Sequence, residues 1–234
     1  MTRIPERDEL VRRAVRPVAA IASGVALWSA FPPLGWWPVA LLGVAGFSLT
    51  VRGARLRSAT GLGLLAGFGM WIPTVSFLQP FGLDAWAAVA VIESLWFAGL
   101  GAALALTGRL RWWPLAGSLM WVGQEFLRDR WPFDGFPWAR LAFGQANSPL
   151  VHLAAIGGAP LVSFAVALGG GLLAFVALNR RWSVAWVPVT LALIVAGPLA
   201  IGLPTAGTSA HGAPSSAVVA AIQGNVPRLG LEEF

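Results

Sequence analysis

Seven apolar segments, at about residues 18–31, 36–51, 60–77, 85–107, 114–127, 150–178 and 184–203, follow one another with only short polar joints between them. Runs of this length and spacing are the signature of helices that cross a bilayer. Composition agrees: 57% of the residues are hydrophobic, 11% are charged, and the mean hydropathy is +0.72. That leaves too little polar surface to cover a soluble globule of 234 residues. The fold class these features predict is an all-α polytopic membrane protein of about seven transmembrane helices. Several segments are near or below the ~20 residues a span needs, so tilt or local thinning is expected.

The joints support this division. The Phe-Pro-Pro-Leu-Gly run at 31–35 closes a hairpin, with Trp36 and Trp37 as interface anchors. Gly63 and Gly67 form a small-xxx-small pair on the third segment, which suits close helix packing; no strand precedes them to make a phosphate cradle. Residues 1–16 read as a cytoplasmic N-terminal segment that can lie on the membrane surface, and 17–203 as the helical membrane domain. A basic segment before an apolar run also describes a secretory signal, but six further apolar segments favour a retained first span. With the N-terminus inside, twelve of the sixteen arginines fall on inner joints, leaving Arg128, Arg130, Arg140 and Arg228 outside. This asymmetry follows the positive-inside rule and predicts an extracytoplasmic loop at 128–149.

The formal charge of +6 is scattered between apolar runs with no basic stripe, which argues against a nucleic-acid partner. The chain contains no cysteine, lysine or tyrosine, so disulfides and thiolate chemistry are excluded within it. His152 and His211 are far apart in sequence and give no metal-ligand spacing; His152 reads as a packed interfacial residue and His211 as linker.

Polarity concentrates between Trp121 and Leu150. On the helix entering this window, Trp121, Glu125 and Arg128 share a face, which allows Glu125 and Arg128 to pair. Trp131 and Phe136 each precede a proline and are pushed toward extended backbone, while Asp134 and Gly135 supply a turn. Asn147, Ser148 and Pro149 read as a cap that starts the next span at about Leu150. The candidate lipid- or substrate-binding residues are Glu125, Arg128, Arg130, Phe136, Trp138 and Arg140, with Asp129, Phe133 and Asp134 nearby. Arginine binds phosphate bidentately, and exposed aromatic rings seat in the headgroup layer. Glu93 joins them because an ionisable group inside a span is costly. For Glu93 the plain alternative is a glutamate that is protonated or paired with an arginine to fix the bundle register; for Glu125 and Arg128 it is a pair that pins the loop.

Residues 204–216 form a Gly, Pro, Thr and Ser linker, and 217–222 read as a first β-strand followed by the turn at 223–227. The ~18 residues after the linker are too few for a domain, so the expectation is an incomplete protein.

Three features together resemble the apolipoprotein N-acyltransferase family: the Phe-Pro-Pro-Leu-Gly hairpin, the window from Gln124 to Gln145 with its Gly-Phe-Pro-Trp loop at 135–138, and the strand and turn at 220–227. The resemblance implies a bacterial cell-membrane enzyme whose helical domain carries an extracytoplasmic nitrilase-like α/β domain. It implies no cofactor and a cysteine nucleophile with a glutamate base and a lysine at the oxyanion. The partners it implies are a phospholipid acyl donor and a diacylated lipoprotein acceptor, the acyl chain passing to the α-amino group of the S-diacylglyceryl cysteine. Lacking cysteine and lysine, this chain is expected to be inactive alone, with catalytic residues none of its own. The family often has a lysine and a tryptophan after the turn, where Arg228 to Phe234 stand here. The alternative is a non-catalytic membrane scaffold for a partner such as a polyprenyl-phosphate mannose synthase, which actinobacterial relatives of the family bind or carry.

Overall fold

The computed structural model describes residues 5–132 and 134–179, with side chains from residue 15 onward. Among the described residues six helices follow in order: α1 (Pro5–Trp28), α2 (Trp37–Val51), α3 (Leu56–Thr74), α4 (Leu83–Thr107), α5 (Trp113–Arg128) and α6 (Ala154–Leu178). Short 3-10 turns occupy Ser76–Phe81, Leu141–Gln145 and Pro149–Leu153. Among the described residues there is no strand. The expected seventh span, the linker and the strand at 217–222 lie outside the described residues.

Local sequence explains the helix ends. Prolines stand in the first turn of α2 and of α5, where a missing N–H costs nothing. Within the helices, Ser23, Thr50, Thr74, Ser94, Thr107 and Ser118 donate their hydroxyls to the carbonyl four residues back. That is how hydroxyls are satisfied in an apolar medium. The helices run up and down, so their joints collect at two ends. At one end Arg16 donates to the Arg52 carbonyl, and the Arg52 guanidinium lies 4.5 Å from the Trp113 ring centre. The opposite end holds the connector 29–36, the turn Ser76–Phe81 and the segment 129–153.

Between the ends, Phe47, Phe97 and Trp121 meet ring to ring at 5.8–6.1 Å. The outside is apolar as well: Val18, Leu42, Ile72, Leu95, Leu106 and Leu119 are all exposed. Large apolar side chains on every outward face suit a lipid environment better than water. Among the described residues two helical stretches, Leu83–Thr107 and Pro149–Leu178, are long and apolar enough to cross a membrane; the apolar parts Val15–Trp28 and Trp37–Val51 are shorter.

Three boundaries differ from the sequence expectation. α1 is continuous through Pro17 from Pro5, so among the described residues no break separates 5–16 from the first apolar run. α3 ends at Thr74, three residues short of the expected Phe77, because the chain turns into the 3-10 segment that holds Pro80. The sixth segment is not one helix from Leu150. Ser148 caps the turn Pro149–Leu153, accepting from the Leu150 N–H at 3.2 Å, and α6 is broken at Gly157 and Gly158. Gly158 has φ +62° and ψ −166°, a region open to glycine alone. The regular helix restarts around Pro160, which needs no N–H partner.

Candidate functional site

Arg128, the last residue of α5, organises the non-basic end. It is 2% exposed, and its Nη1 donates toward three oxygens: Trp138 O at 2.7 Å, Phe136 O at 2.9 Å and Glu93 Oε2 at 3.2 Å. Two hydrogens serve three acceptors, so the bonds are shared. The guanidinium also lies 5.0 Å from the Trp71 ring centre. One side chain thereby ties α3, α4 and α5 to the loop. Glu93, 3% exposed on α4, supplies the countercharge, and Arg128 Nη2 stands 3.8 Å from Asp129 Oδ1. Asp129 in turn pairs with Arg140. The result is an alternating chain of four charges, Glu93, Arg128, Asp129 and Arg140, with no net charge to bury.

Glu125 does not pair with Arg128 as the helix spacing allowed. It is 4% exposed and accepts from the Leu141 N–H at 2.8 Å, with the Ser163 hydroxyl beside it. Ser163 Oγ also accepts from the Ala142 N–H at 3.1 Å. The descending limb of the loop offers Glu125 the Leu141 amide, and α4 offers Arg128 a carboxylate, so each finds its partner outside its own helix. Pinning of the loop is realised, through different partners. Ser163, on α6, and Trp71, on α3, were missed from the sequence; nothing in their neighbours marks either residue.

The loop itself folds back on the helix end. Gly135 N–H donates to Pro132 O at 2.8 Å and Phe136 N–H to Arg128 O at 3.0 Å. Asp134 and Gly135 both have positive φ, +65° and +82°, as an Asp-Gly turn requires. A Cβ on Gly135 would lie 2.0 Å from the Asp129 carbonyl carbon. Gly135→Ala is therefore expected to cost about 1–3 kcal/mol in backbone strain alone. Tryptic cleavage after Arg130 and Arg140 should quicken in that variant and not in Asp134→Asn.

Aromatic rings cover the loop. Trp138 stacks on Phe77 at 5.0 Å and on Phe136 at 5.6 Å, while Trp71 meets Phe136 edge-on at 6.0 Å. Trp131 meets Trp96 edge-on at 5.9 Å. Trp138 and Trp131 remain exposed, whereas Phe136 is partly covered. Arg130 is exposed, with Nη1 on Phe126 O at 2.9 Å and its guanidinium 3.6 Å from the Phe126 ring centre. Of the predicted residues, then, Glu93, Glu125, Arg128, Phe136, Trp138 and Arg140 form one cluster, and Arg130 stands apart on the lateral face. His152 is partly buried in its 3-10 turn. Phe133 and His211 lie outside the described residues. Among the described residues no three His, Cys, Asp or Glu side chains gather as metal ligands.

Residues 23–172 match the profile of the apolipoprotein N-acyltransferase N-terminal domain. The chain is similar to an apolipoprotein N-acyltransferase of Mycolicibacterium smegmatis, 38% identical over 232 residues, which cover 92% of this chain and 39% of that protein. It is also similar to those of Vibrio cholerae, 31% identical over 232 residues (93% of this chain, 45% of the relative), and Azotobacter vinelandii, 34% identical over 225 residues (88% and 43%). The chain thus spans less than half the length of these curated relatives.

Proposed function

The chain belongs to the apolipoprotein N-acyltransferase family, and from that premise we propose that it is the membrane part of an enzyme that N-acylates lipoproteins. The acyl group would come from a phospholipid and pass to the α-amino group of a diacylglyceryl cysteine. The observation that carries this reading is the Arg128 clamp: a stretch on which the resemblance to the family rests, the Gly-Phe-Pro-Trp loop at 135–138, is held by its carbonyls to a buried ion pair between two apolar helices. A loop fixed this firmly at the end of a lipid-facing bundle is a platform. Its role would be to hold lipid substrate beneath an extracytoplasmic nitrilase-like domain.

The 234 residues include neither cysteine nor lysine. If the reaction runs through a cysteine thioester, that nucleophile and a lysine for the oxyanion are not among them. The bundle's contribution is binding and positioning. The basic end would face the cytoplasm and the charged, aromatic corner the outside, as the arginine distribution supports. A scaffold for a polyprenyl-phosphate mannose synthase finds no feature of its own among the described residues.

Depletion of the protein in its native cell tests the proposal, with the N-termini of lipoproteins read by mass spectrometry. Triacylated N-termini should give way to diacylated ones carrying a free α-amine, and the intact gene should restore them. The 234-residue chain alone should transfer no acyl group to a diacylated lipopeptide. Unchanged triacylation after depletion, or transfer by the fragment alone, would overturn it.

A further inference from the structure

Outside the corner, the lateral face between α4 and α5 carries an open groove of about 510 Å³. Sites of this volume are ordinary for small-molecule ligands. Its walls include Trp96, Leu100, Met120 and Phe126, and its floor is opened by two glycines, Gly99 and Gly123. A Cβ built at either glycine meets nothing within 4 Å. One polar side chain enters this apolar surface. Gln124 is 8% exposed, lines the groove, and its Nε2 has no hydrogen-bond partner. In a bilayer no water stands by to satisfy a buried amide, so its desolvation goes uncompensated unless a ligand brings an acceptor. A hydrocarbon chain alone cannot.

Arg130 lies on Phe126, one of the lining residues, and uses Nη1 on the Phe126 carbonyl. Its exposed guanidinium is suited to a phosphate. Going back along the chain from just past the end of α5, the order is therefore cation, amide donor, apolar trough. A glycerophospholipid presents the complement in the same order: phosphate, ester carbonyl, acyl chain.

We propose that the α4–α5 groove is a binding site for one glycerophospholipid, with its phosphate at Arg130, an ester carbonyl accepting from Gln124 Nε2, and an acyl chain over Gly99 and Gly123. This rests on the membrane reading above and gives the donor lipid a place on this chain. A second groove of about 550 Å³, between α1 and α3, serves as the internal comparison. Its lining, including Ile21, Val25, Leu65, Phe68 and Ile72, carries no unpartnered buried polar atom.

The full chain in nanodiscs of dialkyl ether phosphatidylcholine, with a trace of phosphatidylethanolamine bearing a diazirine in one acyl chain, gives the test. Labelled peptides are mapped by mass spectrometry. Labelling of 96–103 and 120–127 should exceed that of 21–28 and 65–73 by about tenfold, the ratio one good hydrogen bond supplies. Gly123→Leu and Gly99→Leu place side chains in the trough from positions whose Cβ meets no neighbour, and should remove that excess while leaving unfolding profiles intact. A dialkyl ether version of the probe, lacking the carbonyl, should label wild type about tenfold less, and Gln124→Leu should erase the difference between the two probes. Equal labelling of both grooves, or of wild type by ester and ether probes, would mean an ordinary lipid annulus and would overturn the proposal. The readout involves no acyl transfer, so it stands or falls separately from the lipoprotein N-termini.

Discussion

Arg128→Ala is expected to destabilise the purified protein by about 3–5 kcal/mol, measured by reversible unfolding in mixed detergent micelles. The cost arises from what is left behind. Without the guanidinium, Glu93 is a buried carboxylate with no countercharge, and the Phe136 and Trp138 carbonyls lose their donor. Each abandoned carbonyl alone costs about 1–3 kcal/mol when buried. Glu93→Ala should also destabilise, but by less, because the guanidinium keeps both loop carbonyls and Asp129 at 3.8 Å. The pairwise part can be isolated with Glu93→Leu and Arg128→Met combined, which removes both charges and keeps the volume. That double variant should recover part of the loss, since replacing a buried pair with apolar groups is often close to neutral. Arg130→Ala, on the exposed side, should stay within about 0.5 kcal/mol. Equal effects at Arg128 and Arg130 would contradict the clamp.

Much of the bundle was legible because the apolar runs and their punctuation are local. Helix ends set by Trp37 and Pro38, by Trp113 and Pro114, and the cap at Ser148 depend on adjacent residues, and so does the Asp134 and Gly135 turn. The partners of Glu93 and Glu125 do not. Glu93 and Arg128 are 35 residues apart on different helices, and periodicity places each on a face without saying which faces meet. The helix spacing suggested the pair Glu125 and Arg128, and tertiary packing overrode it by offering a carboxylate to one and a backbone amide to the other. Ser163 was invisible for the same reason. The break in α6 had a signal, two glycines with a proline two residues beyond, that high hydropathy outweighed. Hydropathy reports where lipid is tolerated, and it says nothing of backbone continuity.

The close approach of α3 and α4 leads to the other large effect. A Cβ on Gly63 would stand 2.2 Å from the Phe97 carbonyl oxygen and 3.0 Å from the Ala98 Cα; one on Gly101 would stand 2.5 Å from the Ala59 oxygen and 3.0 Å from the Gly63 Cα. These are backbone atoms, which cannot rotate away. Between lipid-facing helices there is little hydrophobic drive to associate, so contact between backbones is a main source of cohesion. Gly63→Leu must separate the helices, with an expected loss of about 3 kcal/mol or more. The separation should also reach the candidate site, because Trp71 on α3 and Glu93 on α4 flank the Arg128 guanidinium from the two helices being forced apart. Faster tryptic nicking in the 129–140 loop should therefore accompany the lost stability. Gly61, two residues earlier on α3, has open space around its Cβ position. Gly61→Ala should be neutral or raise stability by about 0.5–1 kcal/mol through helix propensity. If both substitutions behaved alike in the same unfolding assay, tight α3–α4 packing would not be what holds the two sides of the clamp in register.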